Sequence, residues 1–194
     1  LARRSRALRF VAKAAGAHLI NLRVLGNDGS GQVADVIEAL DWAIENRGQF
    51  NIRVINMSLG TAVTQSYKDD PLAQAVERAV KAGIVVVASA GNRGETADGK
   101  TVFGSVTSPG NSPFVITVGA VRANGTADHG DDTLAPWSSR GPTQFDYVVK
   151  PDIAAPGSLI ESAGVEGSTL ALTRPDRITG AGKNTYMTLS GTSQ

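Results

Sequence analysis

Ile84-Val85-Val86-Val87-Ala88 runs straight into Ser89-Ala90-Gly91-Asn92-Arg93-Gly94, and this junction decides the fold. Four β-branched residues in a row, with no polar residue between them, make a strand covered on both faces. The small residues and glycine that follow end it at once. Just upstream, Asp69-Asp70-Pro71 opens a helix: the acids complement the helix dipole, and proline suits the first helical position. Leu72, Ala75, Val76, Ala79 and Val80 then form its apolar stripe, and Gly83 closes it. A helix feeding a two-sided strand through a single glycine is a unit of a parallel α/β sheet.

The same alternation extends in both directions. Residues 51–59 carry Ile52, Val54, Ile55 and Met57 into Ser58-Leu59-Gly60, and residues 18–25 read as an earlier strand ended by the turn Gly26-Asn27-Asp28-Gly29-Ser30-Gly31. Between these two strands Val33, Val36, Ile37, Leu40 and Ile44 have helical spacing, with Gly48 as the stop. Downstream, residues 114–121 and 152–157 read as strands, the polar stretch 123–144 as surface loop, and residues 186–189 as an apolar strand turning at Gly191. Short alternating connections predict a right-handed, doubly wound parallel sheet: an α/β fold in three layers, α/β/α, with helices on both faces. Sites in such folds lie at the carboxyl ends of strands, so Ser58-Leu59-Gly60, Ala90-Gly91-Asn92 and Gly191-Thr192-Ser193 are expected to converge on one crevice.

Composition narrows the function classes. The chain has 194 residues, 41% of them hydrophobic, with 22 glycines, 8 prolines and no cysteine. That suits one domain with many tight turns and excludes disulfides and thiolate zinc sites. No apolar run reaches the roughly 18 residues of a membrane span. Arg3, Arg4, Arg6, Arg9 and Lys13 lie in an acid-free opening segment, residues 1–16, read as a solvated helix. Removing those five from 19 Lys and Arg leaves 14 against 18 Asp and Glu, a net of −4. The body of the chain therefore has no footprint for nucleic acid.

Ser193 stands in what reads as the first turn of a helix, where unpaired backbone N–H groups can stabilise an oxyanion beside a nucleophile. Gly191 lets a substrate approach the backbone closely. Ser190-Gly191-Thr192-Ser193 taken alone reads first as a helix N-cap. Five segments in order remove the ambiguity: Asn56-Met57-Ser58-Leu59-Gly60, Val87-Ala88-Ser89-Ala90-Gly91-Asn92, Trp137-Ser138-Ser139-Arg140-Gly141-Pro142, Lys150-Pro151-Asp152-Ile153-Ala154-Ala155-Pro156-Gly157 and Ser190-Gly191-Thr192-Ser193. Together they resemble the subtilisin-like serine proteases, over residues 17–194. The resemblance implies a serine endopeptidase with Ser193 as nucleophile and Asn92 as the side-chain donor of the oxyanion hole. Ser58, Leu59 and Gly60, with Ser89, Ala90 and Gly91, become the walls of the pocket for the residue before the scissile bond. Arg93 falls at that pocket's rim.

The resemblance further implies a protein or peptide substrate, a monomer, no nucleic-acid or membrane partner, and an extracellular location. No cofactor is required for the chemistry and no metal is assigned to the site, although the family often holds a structural calcium, here on backbone carbonyls of residues 107–114. The departures are as specific as the matches. The family order is Asp, His, Ser, yet no Asp-Ser/Thr-Gly strand end and no His-Gly-Thr-His helix precedes residue 18. His18 opens a strand, His129 sits in a loop, and Asp152 reads as a local capping or turn residue outside the triad. Gln194 stands where the family usually has methionine. The expectation is an internal fragment of a protease domain, inactive alone, with residues 1–16 as a non-matching segment. A catalytically dead binding module of the same family is the alternative. A nucleotide-binding domain is disfavoured, because the turn at residues 26–31 is not Gly-x-Gly-x-x-Gly.

Overall fold

A computed structural model describes residues 16–126 and 128–194. In chain order its first elements are α1, Val33–Glu45, the single turn α2, Arg47–Phe50, and β1, Val54–Met57. Helix α3, Pro71–Lys81, leads into β2, Val85–Ser89, which is the apolar run of the sequence reading. β2 lies between parallel neighbours, β1 on one side and β3, Ile116–Arg122, on the other. β3 also pairs with the two-residue β4, Thr133–Leu134, antiparallel, and with β5, Ile153–Pro156, parallel. The parallel α/β sheet expected from the sequence is present.

The register decides which residues share a face. Val54 stands beside Val85, Val87 beside Ile116 and Val118 beside Ile153. Side chains alternate along a strand, so Val54, Val85, Val87, Ile116, Val118 and Ile153 form one face, and Ile55, Met57, Val86 and Ala88 belong to the other. Helices α1 and α3 cover the second face: Val36, Leu40, Leu72, Ala75, Val76 and Ala79 pack with Met57, Val86 and Ala88 into one core. Helix α3 starts as its sequence predicts. Asp70 accepts a hydrogen bond from Leu72 N–H at 2.9 Å, Pro71 is the first helical residue, and Gly83 leaves the helix with φ of 84°. Helix α1 ends three residues before Gly48, where Asn46 leaves helical geometry with φ −93° and ψ 3° while its backbone N–H and its side chain both bond the Trp42 carbonyl, at 3.0 and 2.9 Å. Gly48 falls inside α2, and the chain turns away instead at Asn51, with φ of 51°.

The described long helices, α1 and α3, both pack on one face of the sheet; on the other, among the described residues, Val54, Val85, Ile116 and Ile153 are exposed and Val87 and Val118 half-buried. Two expectations change. Residues 18–25 are not a strand: they pair with none, and Leu19 is 93% exposed. An extended apolar segment becomes a strand only when a neighbouring edge offers its N–H and C=O groups, and none lies beside it here, although Val24 packs against the core. The stretch 123–144 is loop only in part, because it contains β4 and buries Ala135, Ser138, Ser139 and Thr143. The helix expected within residues 1–16 falls, up to residue 15, outside the described residues.

A second, antiparallel sheet joins β6, Ile160–Ala163, to β8, Tyr186–Leu189, and β8 to β7, Ile178–Thr179. Short helix α4, Thr169–Thr173, lies between β6 and β7 in the chain and is capped by Ser168. β8 is the strand expected before Gly191, but it belongs to this sheet and not to the parallel one. Among the described residues no helix is long and apolar enough to cross a membrane.

Candidate active site

The parallel register aligns Met57 with Ala88, so Ser58 and the turn Ser89-Ala90-Gly91-Asn92 emerge at the same end of the sheet. The end of β8 is brought there by β5: Gly191 N–H donates to the Gly157 carbonyl at 2.8 Å, and Leu159 N–H donates to Ser190 Oγ at 2.9 Å. Gln194 N–H bonds back to the Gly191 carbonyl at 3.3 Å, making a tight turn around Ser193. Ser58, Asn92 and Ser193 are thereby brought together.

Asn92 is held by its oxygen. Thr192 donates to Asn92 Oδ1 twice, from its backbone N–H at 2.9 Å and from its hydroxyl at 3.1 Å. Gly91 N–H donates in turn to Thr192 Oγ1 at 3.1 Å. A carboxamide whose oxygen accepts two bonds presents its NH2 to the space beyond. That NH2 lies against Gly191, where an added Cβ would come within 3.3 Å of it. Gly91 itself has φ of 102°, a region L side chains rarely adopt, and an added Cβ there would press on Thr107 and Ser139 at 3.0 Å. Ser139 braces the turn from behind, its N–H bonding the Gly91 carbonyl at 2.9 Å and its Oγ accepting from Arg93 N–H at 3.0 Å. Thr192 and Ser139 build the site without announcing it in the sequence, because a serine or threonine carries no signal of what its hydroxyl reaches.

Ser193 faces β1. Its Oγ donates to the Ser58 carbonyl at 3.3 Å, while Ser58 Oγ donates to the Ser193 carbonyl at 3.0 Å, and Asn56 Nδ2 donates to Ser58 Oγ at 3.0 Å. Neither described histidine is bonded to Ser193. His18 lies in the unpaired exposed segment, and His129 pairs with Asp132 at 3.0 Å in a surface turn. Asp152 takes neither a capping role nor a turn role. Burial opposes its charge, but hydrogen bonds from Lys150 Nζ at 2.6 Å and Thr117 N–H at 2.7 Å, together with the lysine's charge, hold its carboxyl below the usual carboxylate range. This pair fastens β5 to β3, behind the site.

The pocket walls differ in character. Ser58 and Gly60 are exposed and Leu59 packs against the core, whereas Ser89 and Ala90 are buried in the sheet. Thr107 lies between the walls: an added Cβ at Gly60 would meet its Oγ1 at 2.6 Å, one at Gly91 would meet it at 3.0 Å, and its N–H bonds the Ala90 carbonyl at 3.0 Å. A cavity of about 220 Å3 adjoins it, lined among others by Ala62, Val63, Arg93, Thr107 and Gln144. Within the stretch 107–114 the carbonyls of Thr107, Ser108, Pro109 and Gly110 accept hydrogen bonds from Asn111, Thr61, Ser112 and Thr117, and Asn111 Oδ1 is buried without a hydrogen-bond partner. Among the described residues no three His, Cys, Asp or Glu side chains are grouped to hold a metal.

Comparison with known proteins gives the family. The subtilase family model matches residues 6–194. The chain is 44% identical over 183 residues to serine protease AprX of Bacillus subtilis (strain 168), covering 91% of this chain and 39% of that protein. It is 36% identical over 149 residues to subtilisin-like protease 2 of Trichophyton rubrum, covering 75% of this chain and 29% of that one. Among solved structures, sphericase superposes with a TM-score of 0.63 at 30% identity, over 88% of this chain and 47% of its own. The S41 psychrophilic protease superposes with a TM-score of 0.62 at 32% identity, over 88% and 48%. The chain thus spans less than half the length of each of these relatives. With a family match that runs from residue 6 through both strand-end turns to Ser193, the chain belongs to the subtilase family of serine proteases.

Proposed function

We propose that this chain is the nucleophile-bearing part of a serine endopeptidase that cleaves peptide bonds through an acyl-enzyme on Ser193. One observation carries the reading: Thr192 fixes Asn92 by its oxygen, and the carboxamide NH2 lies against Gly191, two residues before Ser193. A substrate carbonyl placed between that NH2 and Ser193 would be attacked by Ser193 Oγ while its oxygen, turning anionic, accepts from Asn92 Nδ2 and Ser193 N–H. The carbon–nitrogen bond then breaks, the amine leaves with a proton, and water releases the acyl group. The serine proton needs a base. The Ser58 carbonyl that now accepts it cannot take it up, so the family's Asp and His are assigned to sequence beyond these 194 residues. A monomer acting outside the cell on extended peptides completes the proposal, with the exposed end of β1 available for β-augmentation.

The test is a fluorophosphonate serine probe applied to the longer protein that carries this chain, and to the 194 residues alone. The expected result is labelling of Ser193 in the first, its loss in Ser193→Ala, and no labelling in the second. Labelling of the isolated chain, together with cooperative unfolding, would overturn the need for an outside base. The lack of a histidine at Ser193 favours a second reading, a binding module without catalysis. Peptide binding by the longer protein with no Ser193 labelling would select it.

A further inference from the structure

We propose that Asn56 and Ser58 are positioning residues that set the orientation of the nucleophile through its backbone, an inference resting on the reading of Ser193 as nucleophile. The argument lies in the direction of the hydrogen bonds. Ser58 Oγ accepts from Asn56 Nδ2 at 3.0 Å and donates to the Ser193 carbonyl at 3.0 Å. A hydroxyl has one proton, and a carboxamide NH2 can only donate. Asn56 therefore leaves the Ser58 proton for Ser193, and the chain of bonds has a fixed polarity from β1 to the nucleophile. On the other side of Ser193, Thr192 N–H is tied to Asn92 at 2.9 Å. The Gly191–Thr192 and Ser193–Gln194 peptide groups, which flank the nucleophile, are thus held from the ends of two adjacent strands. Between these ties lie the two groups the reaction uses, Ser193 N–H as oxyanion donor and Ser193 Oγ as attacking atom. Releasing one tie lets both swing away from the geometry that stabilises the transition state, and leaves the substrate pocket walls in place.

Asn56→Asp is the discriminating substitution. It keeps the shape but replaces a donor with an acceptor, so the Ser58 hydroxyl turns toward the new carboxylate and lets go of the Ser193 carbonyl. In the longer protein carrying this chain, Ser58→Ala and Asn56→Asp should each lower kcat about tenfold, the scale of one hydrogen bond, with KM and Tm nearly unchanged. Ser58→Thr, which keeps the hydroxyl, should restore most of the rate. Asn56→Ala should be milder than Asn56→Asp, since it removes the donor without capturing the proton. The Asn56→Asp deficit, taken relative to the unsubstituted protein at the same pH, should shrink as the pH falls and the introduced carboxyl becomes a donor.

A second readout needs no turnover. Ser193-Gln194 is the one Ser-Gln pair in these 194 residues, so labelling serine carbonyl carbon and glutamine nitrogen marks its peptide bond, the resonance being assigned by its loss in Ser193→Ala. Ser58→Ala and Asn56→Asp should shift that carbonyl resonance upfield, and Ser58→Thr should not. Turnover surviving Ser193→Ala would overturn the nucleophile reading itself. With Ser193→Ala inactive, an unchanged kcat in Ser58→Ala and Asn56→Asp, an effect on KM alone, or an unmoved carbonyl resonance would overturn the positioning role.

Discussion

Met57, Val86 and Ala88 lie under α1 and α3 and are no more than 4% exposed, whereas on the opposite face Ile116, Val85, Ile153 and Val54 are 40 to 59% exposed and Val87 and Val118 are half-buried. The strands are equally apolar on both faces, so their composition does not distinguish the two; what differs is whether a helix lies there. Burying a large apolar side chain contributes roughly 1.5 to 3 kcal/mol, and in this structure only the helix-covered face collects it in full. The site takes only Leu59 from the covered core and Asn56 from the other face. It depends on the β1–β2 register and on hydrogen bonds at the strand ends, and it can be right in geometry while half of the sheet remains open.

The largest test sets the two faces against each other. Leu72→Ala, in the covered core, should cost about 2 to 5 kcal/mol by denaturant unfolding, while Val85→Ala on the open face should cost less than about 1 kcal/mol in the 194-residue chain. That chain should also bind a hydrophobic dye. Equal costs, or no dye binding, would mean that the open face is covered in solution.

Next comes the strand end. Asn92→Ala in the longer protein should lower kcat roughly 100 to 1000-fold, the loss subtilisin shows when its own carboxamide donor is removed, with little change in KM. A change in KM alone would place Asn92 outside the oxyanion hole and detach the site from this end of β2.

The Lys150–Asp152 pair, which fastens the strands behind the site, should give a smaller effect. Its side chains are 2% and 41% exposed respectively. Asp152→Asn should therefore cost about 1 to 3 kcal/mol, discounted from a fully buried pair because the acid is partly in water. The Asp152 carboxyl is held below its ordinary value of 3.8. Its contribution is thus complete well above that value and is lost as pH falls below it toward the depressed one. Acid unfolding of the unsubstituted protein should be steeper there than that of Asp152→Asn, and identical acid limbs would remove the pair from the account.

Smallest is the charge bias at the rim. Arg93 lines the cavity beside Thr107 and should favour Glu over Lys before the scissile bond by no more than about 1 kcal/mol at low salt, vanishing at high salt. Matched Glu and Lys peptides cleaved at equal rates in low salt would sink it.

The legible part of this molecule was the part written in local pattern. The stripe in α3, its Asp70-Pro71 start, the run in β2 and the glycine turn at Gly91 all announce themselves within a few residues, and the named site residues follow from segments of four to eight. What was hidden depends on distant partners. Residues 18–25 have a strand's composition but no edge beside them. Ser138 and Ser139 look like loop residues, yet they are buried because Ala120 N–H and Arg93 N–H bond their hydroxyls. Thr107 carries no sign that it fills the gap between two glycines, and the polarity of the Asn56–Ser58–Ser193 chain exists only once β1 and the turn after β8 have met.

That meeting also orders events in time. The bond from Ser58 to Ser193 closes a loop of 135 residues and the one from Asn92 to Thr192 a loop of 100, so neither can form while the chain is still being made up to β8. Contacts of such separation are slow to nucleate and follow the local ones, here the α3–β2 unit. The strand-end cluster around Ser193 is therefore among the later contacts that these 194 residues make. On the proposed reading, a nucleophile assembled this late stays blunt through the stage when the chain's own unfolded segments would be the nearest substrate.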